Sequence, residues 1–319
     1  MKNLKVACDV EGTLADIHSL WLLKLYFKEG LDIPLEKIDW DFSNLEGHLE
    51  KPLQKFLKDT QDIWKYKPDL IQFTEKNLEE EIKTLYTINP FDLVTSRNEI
   101  GGIKKWCDLH NIPYKEIIFV RQIEDKSNYD YDIFIDDSPR LADSIERSNR
   151  GTLLLYDRPW NREVDESSRV KRVKSFEEVN AIIAQHKFGN LIDKAIEVRK
   201  FSKSFNIKVG ASLLLKDGTI YTGTNTEHMI HKGTHAEVSA LLKALEKDGY
   251  KGEDAIAMVT VFYAEGHPNY FPCAECRQYL WEDTNPDLLL IAANTDGRVY
   301  KVKRLSQLYP YPYPSKSYR

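Results

Sequence analysis

His235-Ala236-Glu237 and Pro272-Cys273-Ala274-Glu275-Cys276 decide how the C-terminal third of this chain is read. A catalytic tetrahedral zinc wants three protein ligands and one open position, and one imidazole with two thiolates supplies that set. His235, Cys273 and Cys276 fit it. Apolar Val238, Ala240, Leu241 and Ala244 predict a helix over 234–244, and Cys273-x-x-Cys276 predicts the opening of a second. Both ligand groups then lie near helix N-termini, where the positive dipole end favours thiolate. Glu237 stands two residues past the histidine, is not needed as a ligand, and reads as the proton shuttle for a water whose pKa zinc lowers toward about 7. Taken alone, Cys-x-x-Cys reads as well as a structural zinc knuckle, a redox pair or two small buried residues. The upstream His-Ala-Glu favours the catalytic reading. A closed structural site needs a fourth Cys or His; Cys8 and Cys107 are remote, and His228 and His231 are spare histidines nearby.

H-x-E followed by P-C-x-x-C is the signature of the zinc nucleobase deaminases, and from about Gly189 to the end the chain resembles the cytidine deaminase family. Val209-Gly210-Ala211 is similar to that family's first core strand, Pro272-Cys273-Ala274-Glu275-Cys276-Arg277-Gln278 to its P-C-x-x-C-R-Q, and Asn225-Thr226-Glu227 to its N-x-E segment. The resemblance implies a three-layer α/β/α domain with a mixed sheet, zinc as cofactor, and Asn225 and Glu227 as ribose-hydroxyl ligands. A carboxylate at Glu227 would repel a phosphate, which suits a nucleoside better than a nucleotide; its plainer reading is a solvated turn after a strand over 219–222. Two departures stand out. The family places an aromatic residue two positions before V-G-A, where this chain has Ile207, with Phe205 slightly earlier. Its first ligand is His235, where much of the family has a third cysteine. The tail Leu308-Tyr309-Pro310-Tyr311-Pro312-Tyr313-Pro314 resembles the segment that completes a neighbouring subunit's site in these oligomers, which implies a homodimer or tetramer; it reads equally as an extended solvent strand.

A second set of motifs begins at the N-terminus. Leu4-Lys5-Val6-Ala7-Cys8 is a short apolar strand, and Asp9-Val10-Glu11-Gly12-Thr13-Leu14-Ala15-Asp16 follows it. Reacting groups in open α/β sheets gather at the carboxyl ends of strands, so Asp9 reads as a nucleophile able to form an aspartyl-phosphate. The strand Phe91-Asp92-Leu93-Val94 ends in Thr95-Ser96-Arg97, whose hydroxyls suit phosphoryl oxygens. Lys126 offers a point charge to the same oxygens. The strand Asp132-Ile133-Phe134-Ile135 ends in Asp136-Asp137, carboxylates that suit magnesium. An Asp at a strand end is often a helix cap; four such pieces in this order favour a phosphoryl site.

Over Met1 to about Gln185 these motifs resemble the haloacid dehalogenase superfamily and, within it, the 5'-nucleotidase and deoxyribonucleotidase branch. That implies a Rossmann-like domain with a helical cap, expected over 18–88, and magnesium held by Asp9, Asp136, Asp137 and the backbone carbonyl of Glu11. Helices are expected at Leu20–Phe27 and Leu53–Leu57. Trp40, Phe42, Trp64 and Tyr66 are expected either in the cap core or along the pocket. Glu11 departs from the family, which carries Asp as the acid and base two residues after the nucleophile. The extra methylene moves the carboxyl by roughly 1.5 Å, a displacement able to cost about a hundredfold in rate. An active phosphatase, a degenerate nucleotide-binding module and another phosphoryl transfer all stay open.

The 319 residues suit two α/β domains, expected at 1–185 and 186–319 with a junction over 186–190 and Gly189 free for an unusual backbone angle. With 42% hydrophobic and 30% charged residues the chain has material for two cores. No run of eighteen apolar residues and no cleavable leader is seen, and the four cysteines suit a reducing compartment, so a cytoplasmic protein is expected. A net charge of -5 and a pI near 6.0 argue against nucleic acid and for small molecules. The expected function is bifunctional: a magnesium-dependent 5'-nucleotidase for a (deoxy)cytidine monophosphate, and a zinc deaminase taking (deoxy)cytidine to (deoxy)uridine. Its rivals are a CMP/dCMP or modified-cytosine nucleoside deaminase with a degenerate N-terminal module, and a polynucleotide cytosine-editing or binding protein.

Overall fold

In the computed structural model, residues 4–229, 233–262 and 271–313 are described. They form two compact units, 4–179 and 180–319. The division falls inside helix α6 (Phe176–Lys187), and α7 (Gly189–Arg199) starts almost at once. The expected junction over 186–190 covers the end of α6, Phe188 and the start of α7. Gly189 opens α7 and is not among the glycines with positive φ, because the apolar period of 191–198 carries the helix back to that point.

In the N-terminal unit, β1 (Val6–Cys8), β2 (Asp92–Thr95), β3 (Ile117–Phe119), β4 (Ile133–Asp136), β5 (Thr152–Tyr156) and β6 (Val170–Val173) form one parallel sheet in the order β3-β2-β1-β4-β5-β6. Its central strands are continuous apolar runs, as burial on both faces requires. The strand order reverses between β1 and β4, and that carboxyl-end crevice is where a doubly wound sheet binds ligands. Helices α4 (Ile100–Leu109) and α5 (Pro139–Ser148) follow β2 and β4; Ser138 caps α5 by accepting from the Leu141 N–H at 3.3 Å, with Pro139 in the first turn.

Between β1 and β2 the chain makes an excursion through α1 (Ile17–Glu29) and α2 (Pro52–Tyr66). Its ends are stitched together: Asp16 N–H donates to Gln72 O at 2.8 Å and Thr74 N–H to Leu14 O at 3.0 Å. Helix α3 (Leu78–Ile88) comes after this closure and leads into β2.

In the C-terminal unit, β7 (Gly210–Leu215), β8 (Ile220–Thr224), the short pair β9 (Thr226–Glu227) and β10 (Gly233–Thr234), α8 (Ala236–Leu245), β11 (Ala255–Val261), α9 (Ala274–Asp283), β12 (Leu289–Ala293), β13 (Val299–Arg304) and α10 (Leu305–Leu308) follow α7. The main sheet runs β13-β12-β11-β7-β8, parallel only between β11 and β12. Strand alternation sorts the layers. Ala211, Leu213 and Leu215 share a core with Ala236, Ala240 and Leu241 of α8 and Leu280 of α9, whereas Ser212 on the other face donates to Leu191 O of α7 at 2.7 Å. The expected three layers with a mixed sheet are present. Gly223 lets α8 press onto β8: a Cβ there would lie 2.2 Å from Ala236 O.

Candidate functional site

Two clusters of ligand-type side chains stand out among the described residues, one in each unit. In the C-terminal unit His235 is the N-cap of α8, Cys273 the N-cap of α9, and Cys276 lies in the first turn of α9. Because both helices pack on the same face of the sheet, their N-termini converge. His235 Nδ1 lies 3.2 Å from Cys276 Sγ and 3.3 Å from Cys273 Sγ, and the two sulfurs are 3.6 Å apart. Tetrahedral zinc with bonds of about 2.0–2.3 Å has edges of about 3.5–3.8 Å, so this triangle is close to the size that the ion needs. Burial, with Glu237 and Cys273 adding to it, pushes the Cys276 thiol up; a bound dication removes that cost by taking the thiolate. Of the spare histidines, His228 is outside the cluster, and His231 lies outside the described residues.

Glu237 sits behind the triangle and is buried. Its Oε2 is 3.7 Å from Cys276 Sγ and its Oε1 3.5 Å from Thr260 Oγ1, and burial raises its pKa against the opposing effects of its own backbone N–H and of His235. His235 and Cys273 are exposed while Cys276 and Glu237 are buried, so the site opens on one side only. That side is a cavity of about 910 Å³ whose wall includes Phe205, Asn225, Glu227, Phe262 and Phe271.

The two residues of the N-x-E segment serve different ends. Glu227 accepts from Ser204 Oγ at 2.7 Å and from Phe205 N–H at 3.0 Å, and these bonds hold it below the usual carboxylate range. Asn225 is spent largely on its own chain: its Oδ1 accepts from Ser202 Oγ at 2.7 Å and Val209 N–H at 2.8 Å, and its Nδ2 donates to Ile207 O at 2.7 Å. It fixes the 202–209 segment and keeps one N–H for a ligand. Ile207 and Phe205 both line the cavity, and so do Phe262 and Phe271, which the motif reading passed over. Phe271 directly precedes Pro272, so its place beside the cysteines was available from the sequence. In the tail, Leu308 O accepts from Arg277 Nη1 at 3.0 Å and Tyr313 N–H donates to Gln278 Oε1 at 3.3 Å; Pro314 lies outside the described residues.

In the N-terminal unit Asp9, Thr95 and Asp136 arrive at the carboxyl ends of β1, β2 and β4. Lys126, from a short 3-10 turn over Ile123–Asn128, reaches Asp9 Oδ1 and Asp136 Oδ2, each at 2.6 Å. All are buried. Asp137 is braced at both oxygens, by Thr13 Oγ1 at 2.9 Å and Trp160 Nε1 at 2.8 Å. Gly12 makes room for it: its φ is +79°, and a Cβ there would fall 2.3 Å from Asp137 Oδ2. Burial raises Asp9 well above its ordinary value, with Lys126 opposing and Asp136 and Asp137 adding to the rise. Burial and Asp136 push Asp137 up to about 7. Lys126 is raised because Asp136 and Asp9 outweigh its own burial. Three carboxylates facing one ammonium leave an excess of negative charge among oxygen donors, which suits a hard divalent cation. The two donor sets thus fit the zinc and the magnesium of the families that the motifs resemble.

A cavity of about 660 Å³ adjoins this cluster, walled in part by Trp40, Phe42, Phe56, Ser96 and His18. Of the four aromatics singled out in the sequence, Trp40 and Phe42 line it, Trp64 is buried beside Glu11, and Tyr66 is exposed elsewhere. His18 and Trp160 were not foreseen. Trp160 comes from the stretch 156–168, which reads as polar in sequence yet buries Arg158, Trp160 and Asn161 under the Asp137 loop. The Glu11 side chain is ion-paired with Arg97, Nη2 to Oε2 at 2.8 Å.

A family model described as "Cytidine and deoxycytidylate deaminase zinc-binding region" matches residues 186–289, and one described as "5' nucleotidase, deoxy (Pyrimidine), cytosolic type C protein" matches residues 3–188. A cytidine deaminase of Halalkalibacterium halodurans is 33% identical over 123 residues, 38% of this chain and 89% of that protein. One of Sporosarcina psychrophila is 37% identical over 92 residues, 28% of this chain, and the chain spans only 64% of that protein's length. A solved cytidine deaminase from Burkholderia pseudomallei shares 31% identity over 39% of this chain and 98% of that one, with a TM-score of 0.36. Both resemblances drawn from the motifs hold, and the chain is an enzyme made of two hydrolase-family domains. It belongs to the cytosolic type C 5'-nucleotidase family over more than half its length and, beyond that, to the cytidine deaminase family.

Proposed function

We propose that the C-terminal unit deaminates a cytidine-type nucleoside to the uridine type and that the N-terminal unit removes phosphate from the corresponding 5'-monophosphate. The observation that carries this reading is the ionised Glu227 in the wall of the same cavity as His235, Cys273 and Glu237. A fixed carboxylate accepts hydrogen bonds from sugar hydroxyls and repels phosphate. When bound, zinc supplies the Lewis acidity that makes water nucleophilic at neutral pH. Glu237 takes one proton from water as its oxygen adds to the ring carbon and passes it to the ring nitrogen, then takes the second proton from the new hydroxyl and passes it to the amine as the C–N bond breaks, so that water enters and ammonia leaves. Asn225 keeps the wall segment 202–209 in place.

In the N-terminal unit an Asp9 oxygen attacks phosphorus and the bond to the sugar oxygen breaks; water then hydrolyses the aspartyl-phosphate. Asp9, Asp136 and Asp137 would hold magnesium, which when bound would supply neutralising charge. Lys126 orients Asp9 and Asp136, and Thr95 and Ser96 offer hydroxyls to the phosphoryl oxygens. The two steps are complementary, since one unit removes the group that Glu227 disfavours. We place the enzyme in the cytoplasm as a homo-oligomer acting on small molecules; no helix among the described residues is long and apolar enough to cross a membrane.

Incubating the protein with CMP, dCMP, cytidine and deoxycytidine, and measuring phosphate and ammonia separately, tests the reading. Phosphate from the monophosphates and ammonia from the nucleosides are expected. Ammonia from CMP without phosphate would favour the rival in which the N-terminal unit only binds nucleotides, a rival supported by the pairing of Glu11 with Arg97. Ile207 in the base cavity supports a modified cytosine as substrate, which competition with base-modified analogues decides.

A further inference from the structure

Glu11 stands where a phosphoryl-transfer enzyme of the kind just proposed would keep its proton donor, but its surroundings are not those of a proton donor. Three N–H groups converge on its carboxylate. Arg97 Nε lies 3.0 Å from Oε1 and 2.9 Å from Oε2, Arg97 Nη2 lies 2.8 Å from Oε2, and the Trp64 indole N–H donates to Oε1. Donors so placed occupy most of the lone-pair positions of the Glu11 carboxyl group and leave little room for a substrate oxygen or a water to bond there. The remaining arm of the guanidinium, Nη1, donates to Leu57 O at 3.3 Å.

The partners divide by element. Glu11 and Arg97 lie on the loops after β1 and β2, at the carboxyl end of the sheet; Leu57 and Trp64 lie on α2 of the excursion that stands beside the cavity. Arg97 is 8% exposed and Trp64 fully buried. We propose that Glu11 is a clasp: with Arg97 it fastens α2 to the catalytic end of the sheet and acts as a positioning residue. The longer side chain is what the clasp requires. Asp at this position would withdraw the carboxylate by roughly 1.5 Å from two partners on different elements.

Resting on the phosphatase reading above, the clasp has a chemical consequence. When Asp9 attacks phosphorus and the bond to the leaving oxygen breaks, the electron pair stays on that oxygen and its proton comes from water. Turnover then follows the acidity of the leaving group, and an aryl phosphate outruns a nucleoside monophosphate.

Two measurements on the full chain decide the matter. In hydrogen–deuterium exchange, Glu11→Gln, Glu11→Asp and Trp64→Phe should each speed exchange of the 52–66 amides by about tenfold while strands 92–95 and 133–136 keep their protection; unchanged protection over 52–66 in the Glu11 variants overturns the clasp. In kinetics, the wild type should turn over p-nitrophenyl phosphate at least about a hundredfold faster than CMP, a gap of the size that a general acid closes, and Glu11→Gln should keep that ratio. Equal wild-type rates on the two esters, with Glu11→Gln losing only CMP turnover and Glu11→Asp recovering it, make Glu11 the proton donor instead. If no phosphate ester is cleaved, the phosphatase reading fails and the exchange experiment still decides the clasp.

Discussion

The two centres solve opposite electrostatic problems. In the C-terminal unit an imidazole and two sulfurs meet at the N-termini of α8 and α9, and one buried carboxylate, Glu237, stands behind them. In the N-terminal unit three carboxylates crowd one ammonium, and a fourth, Glu11, is taken up by a guanidinium. The first arrangement needs only two helices packed on one face of a sheet. The second draws on loops after three strands, a 3-10 turn and side chains from as far along as Trp160. A site assembled from a few contiguous motifs on helix termini is robust to the details of the remaining chain; one assembled from many loops depends on which side chain reaches which.

The largest expected effects test whether the two centres are as independent as this contrast implies. Glu237→Ala should lower deamination by more than about a thousandfold, the loss expected when the proton shuttle is removed, while zinc content by elemental analysis and phosphate release stay at wild-type levels. Asp9→Asn should do the reverse, removing phosphate release and sparing deamination. If either substitution abolished both activities in folded protein, the separation would be wrong.

Much of this contrast was legible in the sequence, and unevenly so. His235, Glu237, Cys273 and Cys276 were readable as one cluster because metal geometry restricts residue types and the i, i+3 cysteine spacing marks a helix start. Asp9, Lys126, Asp136 and Asp137 were readable as a set because the carboxyl ends of parallel strands collect reactive groups. The partners were not readable. Nothing in Thr95-Ser96-Arg97 says that Arg97 turns to Glu11, or that Trp64 reaches the same carboxylate, since both are long-range contacts chosen by how α2 packs. The polar composition of 156–168 concealed the burial of Trp160. Asn225 could be named from its motif, yet its three internal hydrogen bonds depend on where the 202–209 segment lies.

A smaller effect sharpens the assignment of the deaminase cavity. Glu227→Ala should reduce kcat/KM for cytidine by roughly tenfold to a hundredfold, the cost of losing a charged hydrogen-bond acceptor worth about 1.5–3 kcal/mol, with little change in zinc content. Paired measurements on CMP should show a smaller penalty or a gain, because the repulsion of phosphate disappears with the carboxylate. An equal loss on both substrates would mean that Glu227 only supports the segment around Ser204 and Phe205.

The smallest effect lies at the other cavity and reads its electrostatics directly. His18 is buried, its ring centroid is 4.2 Å from that of Trp160 and 4.9 Å from that of Phe56, and its Nδ1 has no hydrogen-bond partner. Burial, then Arg158 and Arg97, push its pKa down to about 3. The folded protein therefore keeps this imidazole neutral, whereas the unfolded chain binds a proton below about 6.5. Unfolding then takes up a proton, so the contribution of His18 to stability is complete above about pH 6.5 and drains away as the pH falls toward 3. In His18→Phe that drain is absent. Five of the six tryptophans lie in residues 4–179, so urea unfolding followed by tryptophan fluorescence reports chiefly on this unit. Between pH 6 and 5 the wild type should lose up to about 1.4 kcal/mol relative to His18→Phe, with no such divergence between pH 8 and 7. Parallel curves across the acid range would mean that the ring is protonated in the folded state, and the neutral part of the wall that His18 and Phe56 give this cavity would have to be redrawn as a charged one.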